Sequence, residues 1–277
     1  MKFGRSHIYV RVMIAGRGLD FVLDTGASGI TIDAAVGHEL GLQEYGRRSA
    51  VTAGRYTTAR TIVPEMRIGT LTMKNVAVQE IPHGWQTASD VKEVGLLGFD
   101  FLAELGVTID YERQRVTVVP GTEYVAPTDR HMIPLTVRLG TGQPRTDVTI
   151  NGALGERWVL DTGGAGTFLI FDYFARRHPE ALKNSEGARD THEPKLYGVG
   201  GPIPTQSYQI AALKLGTVTF RDFAGYRVMG ATAYASTDDG IIGAEFLRLF
   251  TVGLDYGQSR VYLVPSRATR AAMGIRD

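Results

Sequence analysis

Two short runs carry the residues best suited to chemistry. Val22-Leu23-Asp24-Thr25-Gly26 recurs as Val159-Leu160-Asp161-Thr162-Gly163, with the aspartates 137 positions apart. In both runs the aspartate follows three residues that suit a buried strand, Phe21-Val22-Leu23 or Trp158-Val159-Leu160. A carboxylate at the end of such a strand is costly unless it is hydrogen-bonded or paired. The Thr-Gly that follows permits a tight turn whose backbone N–H groups can point at the carboxylate. One copy alone reads equally well as a turn-capping aspartate. Two copies, each followed downstream by an apolar-apolar-Gly segment, Leu96-Leu97-Gly98 or Ile241-Ile242-Gly243, argue for a pair of working carboxylates. Paired carboxylates are equipment for general acid–base chemistry.

The elements that position these residues also come in two copies. Ile68-Gly69-Thr70-Leu71-Thr72 recurs as Leu215-Gly216-Thr217-Val218-Thr219, offset by 147. Gly95-Leu96-Leu97-Gly98, Phe101-Leu102, Asp110-Tyr111, Arg115-Val116 and Val119-Pro120 all recur at an offset of 145. Collinear matches at a nearly constant offset mark an internal duplication. The second copy is about ten residues longer after its aspartate. Each copy reads as an alternating strand (7–15; 146–151), a Gly-containing turn and a second apolar strand into Asp-Thr-Gly. A short helix follows (33–40; 171–182), then further strands, the Gly-bounded doublet, a helical turn (99–105; 244–250) and a closing strand. Residues 120–134 have turn residues and little periodicity and read as the linker; 266–277 reads as a short polar helix or a frayed tail. The expected architecture is mainly β, with two homologous β-rich lobes related by a pseudo-two-fold axis. The lobes span residues 1–124 and 125–277.

The bulk composition excludes other classes. The chain has 277 residues, 43% of them hydrophobic, enough for a sizeable core. A net charge of +1 with scattered Lys and Arg leaves no electrostatic footprint for nucleic acid. Cysteine is absent, which removes disulfides and thiolate chemistry. No apolar stretch approaches the roughly 18 residues of a membrane span. Residues 1–10 lack the apolar stretch of a signal peptide. The start directly on a strand leans toward an exported or periplasmic protein with its signal removed; the chain taken as complete reads as cytoplasmic.

The Asp24-Thr25-Gly26-Ala27-Ser28 run with Leu96-Leu97-Gly98 resembles the retropepsin-type aspartic protease half, and so does Asp161-Thr162-Gly163 with Ile241-Ile242-Gly243. The resemblance covers about 8–120 and 133–265, two such halves fused in one chain as in the bilobal pepsin-like arrangement. It implies an acid-protease-like fold in which each half supplies one aspartate. Two carboxylates side by side cannot both ionise easily, so one serves as general base and the other as general acid. Aspartic proteases are the standard worked case of that effect. The implied activity is endopeptidase hydrolysis of an extended peptide by a water held between Asp24 and Asp161, with no cofactor or metal. The resemblance further implies that Thr25 and Thr162 brace the two turns through their hydroxyls. Gly26 and Gly163 would then admit the substrate backbone, with Ala27, Ser28, Gly164 and Ala165 lining the site. Gly164-Ala165 departs from the usual form that Ala27-Ser28 follows, which points to unequal subsites or a weakened second half. A mobile hairpin over each half is expected at about 49–60, with Gly54 at its tip, and at about 194–207, with Gly198, Gly200 and Gly201. Tyr56, Tyr197 and Gly200 are the substrate-contact candidates there, and the longer second copy should reach further.

Other signals are weaker. The six histidines, His7, His38, His83, His131, His178 and His192, show no metal-ligand spacing and read as surface or loop polarity. Trp85 and Tyr234 precede the Gly doublets, where they either line subsites or pack under their loops. Two readings stand beside an active peptidase that works as a monomer. One is a catalytically weak or inactive peptide-binding protein of the same fold. The other is a dimer in which each half pairs with another chain.

Overall fold

Alternation in the sequence sets the strand faces. In β2 (Ile8–Ile14), which follows a short β1 (Lys2–Phe3), residues 8, 10, 12 and 14 join the core while Arg11 faces solvent. The computed structural model describes residues 2–4, 7–51, 54–82, 91–183, 196–199, 201–229 and 237–273. The first half continues with β3 (Arg17–Leu23), β4 (Ile30–Asp33), β5 (Tyr45–Val51), β6 (Arg55–Ile68), β7 (Leu71–Ile81) and β8 (Glu93–Leu97). Helix α1 (Ala34–Glu39) lies between β4 and β5, and the Asp33 carboxylate caps it by accepting from the Val36 N–H. The sheet order is β1-β2-β3-β8-β4-β7-β6-β5, and β6 pairs back onto β2, so β2-β3-β8-β4-β7-β6 come round on themselves.

After helix α2 (Phe99–Leu102) come β9 (Leu105–Asp110), β10 (Arg115–Pro120) and β11 (Ile133–Thr136). The second half repeats the first: β12 (Arg145–Ile150), β13 (Ala153–Leu160), β14 (Phe168–Ile170), a ribbon of β15 (Leu196–Gly198) and β16 (Gly201–Ile203), then β17 (Thr205–Leu215), β18 (Val218–Val228) and β19 (Gly240–Ile242). β12-β13-β19-β14-β18-β17 form a closed barrel. Strand for strand this is the order of the first barrel, so the fold is mainly β with two six-stranded lobes. In each lobe the strand that ends at the aspartate runs parallel to the apolar doublet, β3 beside β8 and β13 beside β19. The opening hairpins match too. Ala15-Gly16 and Asn151-Gly152 all have positive φ, the two-residue turn that suits the strands' right-handed twist.

The structure departs from the sequence expectation in two places. The helix expected over 171–182 is split into α3 (Asp172–Arg177) and a 3₁₀ turn at Pro179–Leu182. Pro179 disfavours helical backbone at the residue before it, and His178 sits at φ −133°, ψ 56°. The closing strands also do not stay with their own lobes. Helix α4 (Ala244–Leu247) leads into β20 (Phe250–Asp255) and β21 (Arg260–Pro265), and these join a five-stranded sheet ordered β10-β9-β20-β21-β11. Its central pairing, β9 against β20, places Ile109 opposite Val252 and joins the two halves edge to edge. Each closing strand alone would leave a row of unpaired N–H and C=O groups. Shared, the strands satisfy each other and carry the core across the lobe boundary. The linker is pinned to this sheet, with Tyr124 stacked on Tyr262 at a centroid separation of 6.3 Å. The last helix, α5 (Arg267–Ala272), is capped by Ser266. No described helix is long and apolar enough to cross a membrane.

Ile109 is fully buried at the junction between lobes, within one apolar cluster that includes residues of both barrels. Ile109→Ala is expected to cost about 2–5 kcal/mol, lowering the urea midpoint of a single transition that both lobes share. A midpoint equal to wild type, or separate unfolding of one lobe in the variant, would contradict a junction that stabilises both.

Candidate active site

Asp24 and Asp161 emerge from β3 and β13 at the junction of the lobes, and the neighbouring doublet strand anchors each backbone. The Asp24 N–H donates to Leu97 O at 3.0 Å and the Asp161 N–H to Ile242 O at 2.9 Å. The turns then fold their N–H groups back onto the carboxylates. Asp24 Oδ1 accepts from Gly26 and Ala27 at 2.8 and 3.1 Å; Asp161 Oδ1 accepts from Gly163 and Gly164, both at 2.8 Å. The second loop therefore keeps both backbone donors despite its Gly164-Ala165 sequence. A side chain at Gly164 would press on Asp161 Oδ2, so the departure there leaves room for the carboxylate.

The threonines lock the two turns together. Thr25 Oγ1 donates to Leu160 O and Thr162 Oγ1 to Leu23 O, both at 2.7 Å. Each hydroxyl also accepts the other threonine's backbone N–H, at 3.0 and 3.1 Å. All four bonds cross between lobes and are buried, so losing one hydroxyl strands two partners away from water. Gly26 and Gly163 have a role beyond admitting substrate. A Cβ on Gly26 would collide with the Asp161 carboxyl group, and one on Gly163 with that of Asp24. The glycines allow the carboxyl groups to approach, and the two hydrogen-bond to each other.

That proximity sets the electrostatics. Burial pushes the Asp24 carboxyl well above the usual carboxylate range, and the negative charge of Asp161 pushes it further. Burial also raises Asp161, but the hydrogen bond from Asp24 and the backbone donors partly offset it. Burial and mutual repulsion together favour a single proton shared between the two carboxyl groups. Tyr111 and Tyr256, equivalent positions in the repeat, flank the pair with phenols that burial raises strongly.

A cleft of about 430 Å³ opens over the dyad, lined by Gly26, Ala27, Ser28, Gly164 and Ala165 among others. Its roof comes from two hairpins. Val51 and Tyr56 descend from the β5–β6 hairpin, Gly198 and Val199 from the β15–β16 ribbon. The tips meet where the Gly54 N–H donates to Val199 O at 3.3 Å. The covers are unequal among the described residues: β5 pairs with β6 between Tyr45–Val51 and Arg55–Arg60, whereas β15 and β16 pair over three residues each. Tyr197 pairs through its backbone with Pro202. Gly200, Trp85 and Tyr234 lie outside the described residues.

Sequence reading missed His7 and Gln143. His7 is not surface polarity: it is 8% exposed, lines the cleft, and its Nε2 lies 3.0 Å from Gly163 O. Gln143 mirrors it, donating from Nε2 to Gly26 O at 2.5 Å. The signal was present but displaced. The two residues are 136 apart rather than 137, because β13 carries an extra residue where its pairing with β12 shifts register.

Residues 10–101 match the family model described as aspartyl protease. The match lies within the N-terminal lobe, which is similar over that stretch to retropepsin-like aspartyl proteases. The second barrel repeats the strand order of the first, consistent with two fused lobes of an acid-protease-like fold. No curated protein matches the chain.

The raised Asp24 carboxyl has a consequence for stability. Below the ordinary carboxylate range, about pH 4, Asp24 is protonated whether folded or unfolded. As pH rises toward its raised folded value, the unfolded chain gives up the proton while the native state holds it, and stability is lost. Asp24→Asn keeps a neutral group there at every pH. Its Tm is expected to exceed wild type at about pH 7 and to converge with it in acid. A gap independent of pH would contradict the assigned shift.

Proposed function

We propose that the chain is an aspartic endopeptidase whose Asp24 and Asp161 together activate a water molecule against the carbonyl of an extended peptide. One observation carries this reading: two buried carboxyl groups hydrogen-bonded to each other at the floor of a roofed cleft, each oriented by two backbone N–H donors. Holding two like groups together is costly. A binding protein gains nothing from it, while general acid–base catalysis requires it.

In the proposed reaction, ionised Asp161 takes a proton from the water as its oxygen attacks the peptide carbonyl. Protonated Asp24 gives its proton to the carbonyl oxygen, forming a neutral tetrahedral diol. Collapse of the diol breaks the C–N bond. Asp161 returns a proton to the departing amine, and a diol hydroxyl proton goes back to Asp24, restoring the starting state. The proton inventory balances without a covalent intermediate. Two unequal hairpins closing over the cleft suit a substrate that enters extended and is then screened from bulk water. The catalytically inactive alternative rested on Gly164-Ala165, and the retained donors of that loop weigh against it. One chain supplies both aspartates, which supports a monomer as the working unit.

Asp24→Asn and Asp161→Asn are each expected to lower kcat by about 10²–10⁴-fold on a peptide library, the range general acid–base groups contribute. Turnover per chain should stay constant on dilution. Full activity in either variant defeats the dyad mechanism, and a steep loss on dilution defeats the single-chain site.

A further inference from the structure

His7 and Gln143 occupy the same place in the two lobes, just before β2 and β12, and each reaches across to the glycine carbonyl of the opposite Asp-Thr-Gly turn. Their backing differs. Gln143 Oε1 accepts from Arg145 Nη2 at 2.7 Å, and Arg145 is held by Asp238 through Nε and Nη2 at 2.6 and 3.0 Å. The counterpart of Asp238 in the first lobe is Glu93, two residues before Gly95 as Asp238 is two before Gly240. The counterpart of Arg145 is Tyr9, which carries no charge and meets the His7 ring edge to face at 6.1 Å. Glu93 Oε2 instead lies 3.8 Å from His7 Nδ1. One lobe thus backs its bridge with a closed ion pair around an amide, the other with a carboxylate beside an imidazole.

We propose that His7 is a positioning residue that polarises the dyad: it fixes the Gly163 carbonyl through Nε2 and, when protonated, places a positive charge beside Asp161 that has no counterpart beside Asp24. This deepens the peptidase reading and rests on it. The charged and titratable groups around the imidazole are Glu93 from β8, Asp161 from the turn after β13 and Arg248 after α4, with Tyr9 on its own strand. Burial lowers the His7 pKa, while its bond to Gly163 and the charge of Asp161 oppose that fall. These opposing effects couple the protonation of the imidazole to the charge on Asp161. A proton on His7 pairs with Glu93 and keeps Asp161 ionised to lower pH, while the Nε2–H bond to Gly163 persists in both states. The asymmetry gives the acid and base roles a structural cause: Asp161 is the base because the residue that reaches its turn from the opposite lobe can carry charge, and Asp24 is the acid because Gln143 cannot.

His7→Gln and His7→Ala separate the two roles. Glutamine reproduces the residue of the other lobe and keeps an N–H donor. The acid limb of its kcat/KM should move up by about half a pH unit as Asp161 loses its cationic neighbour, with a smaller loss of plateau kcat than the alanine variant shows. Alanine loses the donor as well, and kcat should fall by about tenfold with the same limb shift. A readout independent of turnover is the NMR titration of the His7 ring, assigned by its absence in His7→Gln. Asp161→Asn should lower the His7 midpoint, because the neighbouring anion is gone. Asp24→Asn should leave it unchanged or raise it, because Asp161 then ionises more readily. A His7→Gln pH profile that superimposes on wild type, or a His7 midpoint unmoved by Asp161→Asn, overturns the proposal. If the wild type cleaves no peptide, the peptidase reading fails and the titration still decides the coupling. If it cleaves peptides and the titration shows no coupling, the peptidase reading stands and this inference falls.

Discussion

Two carboxyl groups in hydrogen-bond contact, out of bulk water, are the condition on which the rest of the molecule depends. Left to themselves, like acids in a low-dielectric site would move apart or draw in solvent. Here they are held by geometry on every side. Four backbone N–H groups fix two of the oxygens, two glycines give up the space that side chains would need, and four hydroxyl-mediated bonds tie the turns together. The electrostatic strain is converted into a division of labour, because a shared proton cannot sit equally on both groups once their surroundings differ.

The surroundings of the pair extend that logic outward. A bond network between two turns is only as rigid as the bodies that carry them. The shared five-stranded sheet serves that purpose beneath the site, joining the lobes through main-chain pairing rather than surface contact. Above the site, two hairpins meet where the Gly54 N–H donates to Val199 O at 3.3 Å. A joined base beneath and two hairpins above enclose the paired carboxyl groups. The exchange of an imidazole for an amide at matched positions shows how a duplicated scaffold can acquire asymmetry through its side chains.

The sequence by itself determined the two lobes and the pair of repeated aspartates. A duplicated Asp-Thr-Gly with its downstream Gly doublet is local information: strand alternation, turn residues and spacing are legible one segment at a time. The cap at Asp33 and the type of the opening turns belong to the same class. Tertiary structure alone decided what depends on residues distant in sequence. The closing strands left their own lobes because an edge strand finds its partner wherever an unpaired edge lies, and alternation does not say which neighbour that will be. The glycines after the aspartates face the opposite carboxyl group, a contact 137 positions away that turn chemistry cannot foresee. His7 read as an ordinary polar residue because its meaning lies entirely in what faces it: Gly163, Glu93 and Asp161 reach it from three other segments, and burial against them changes a surface histidine into part of the site.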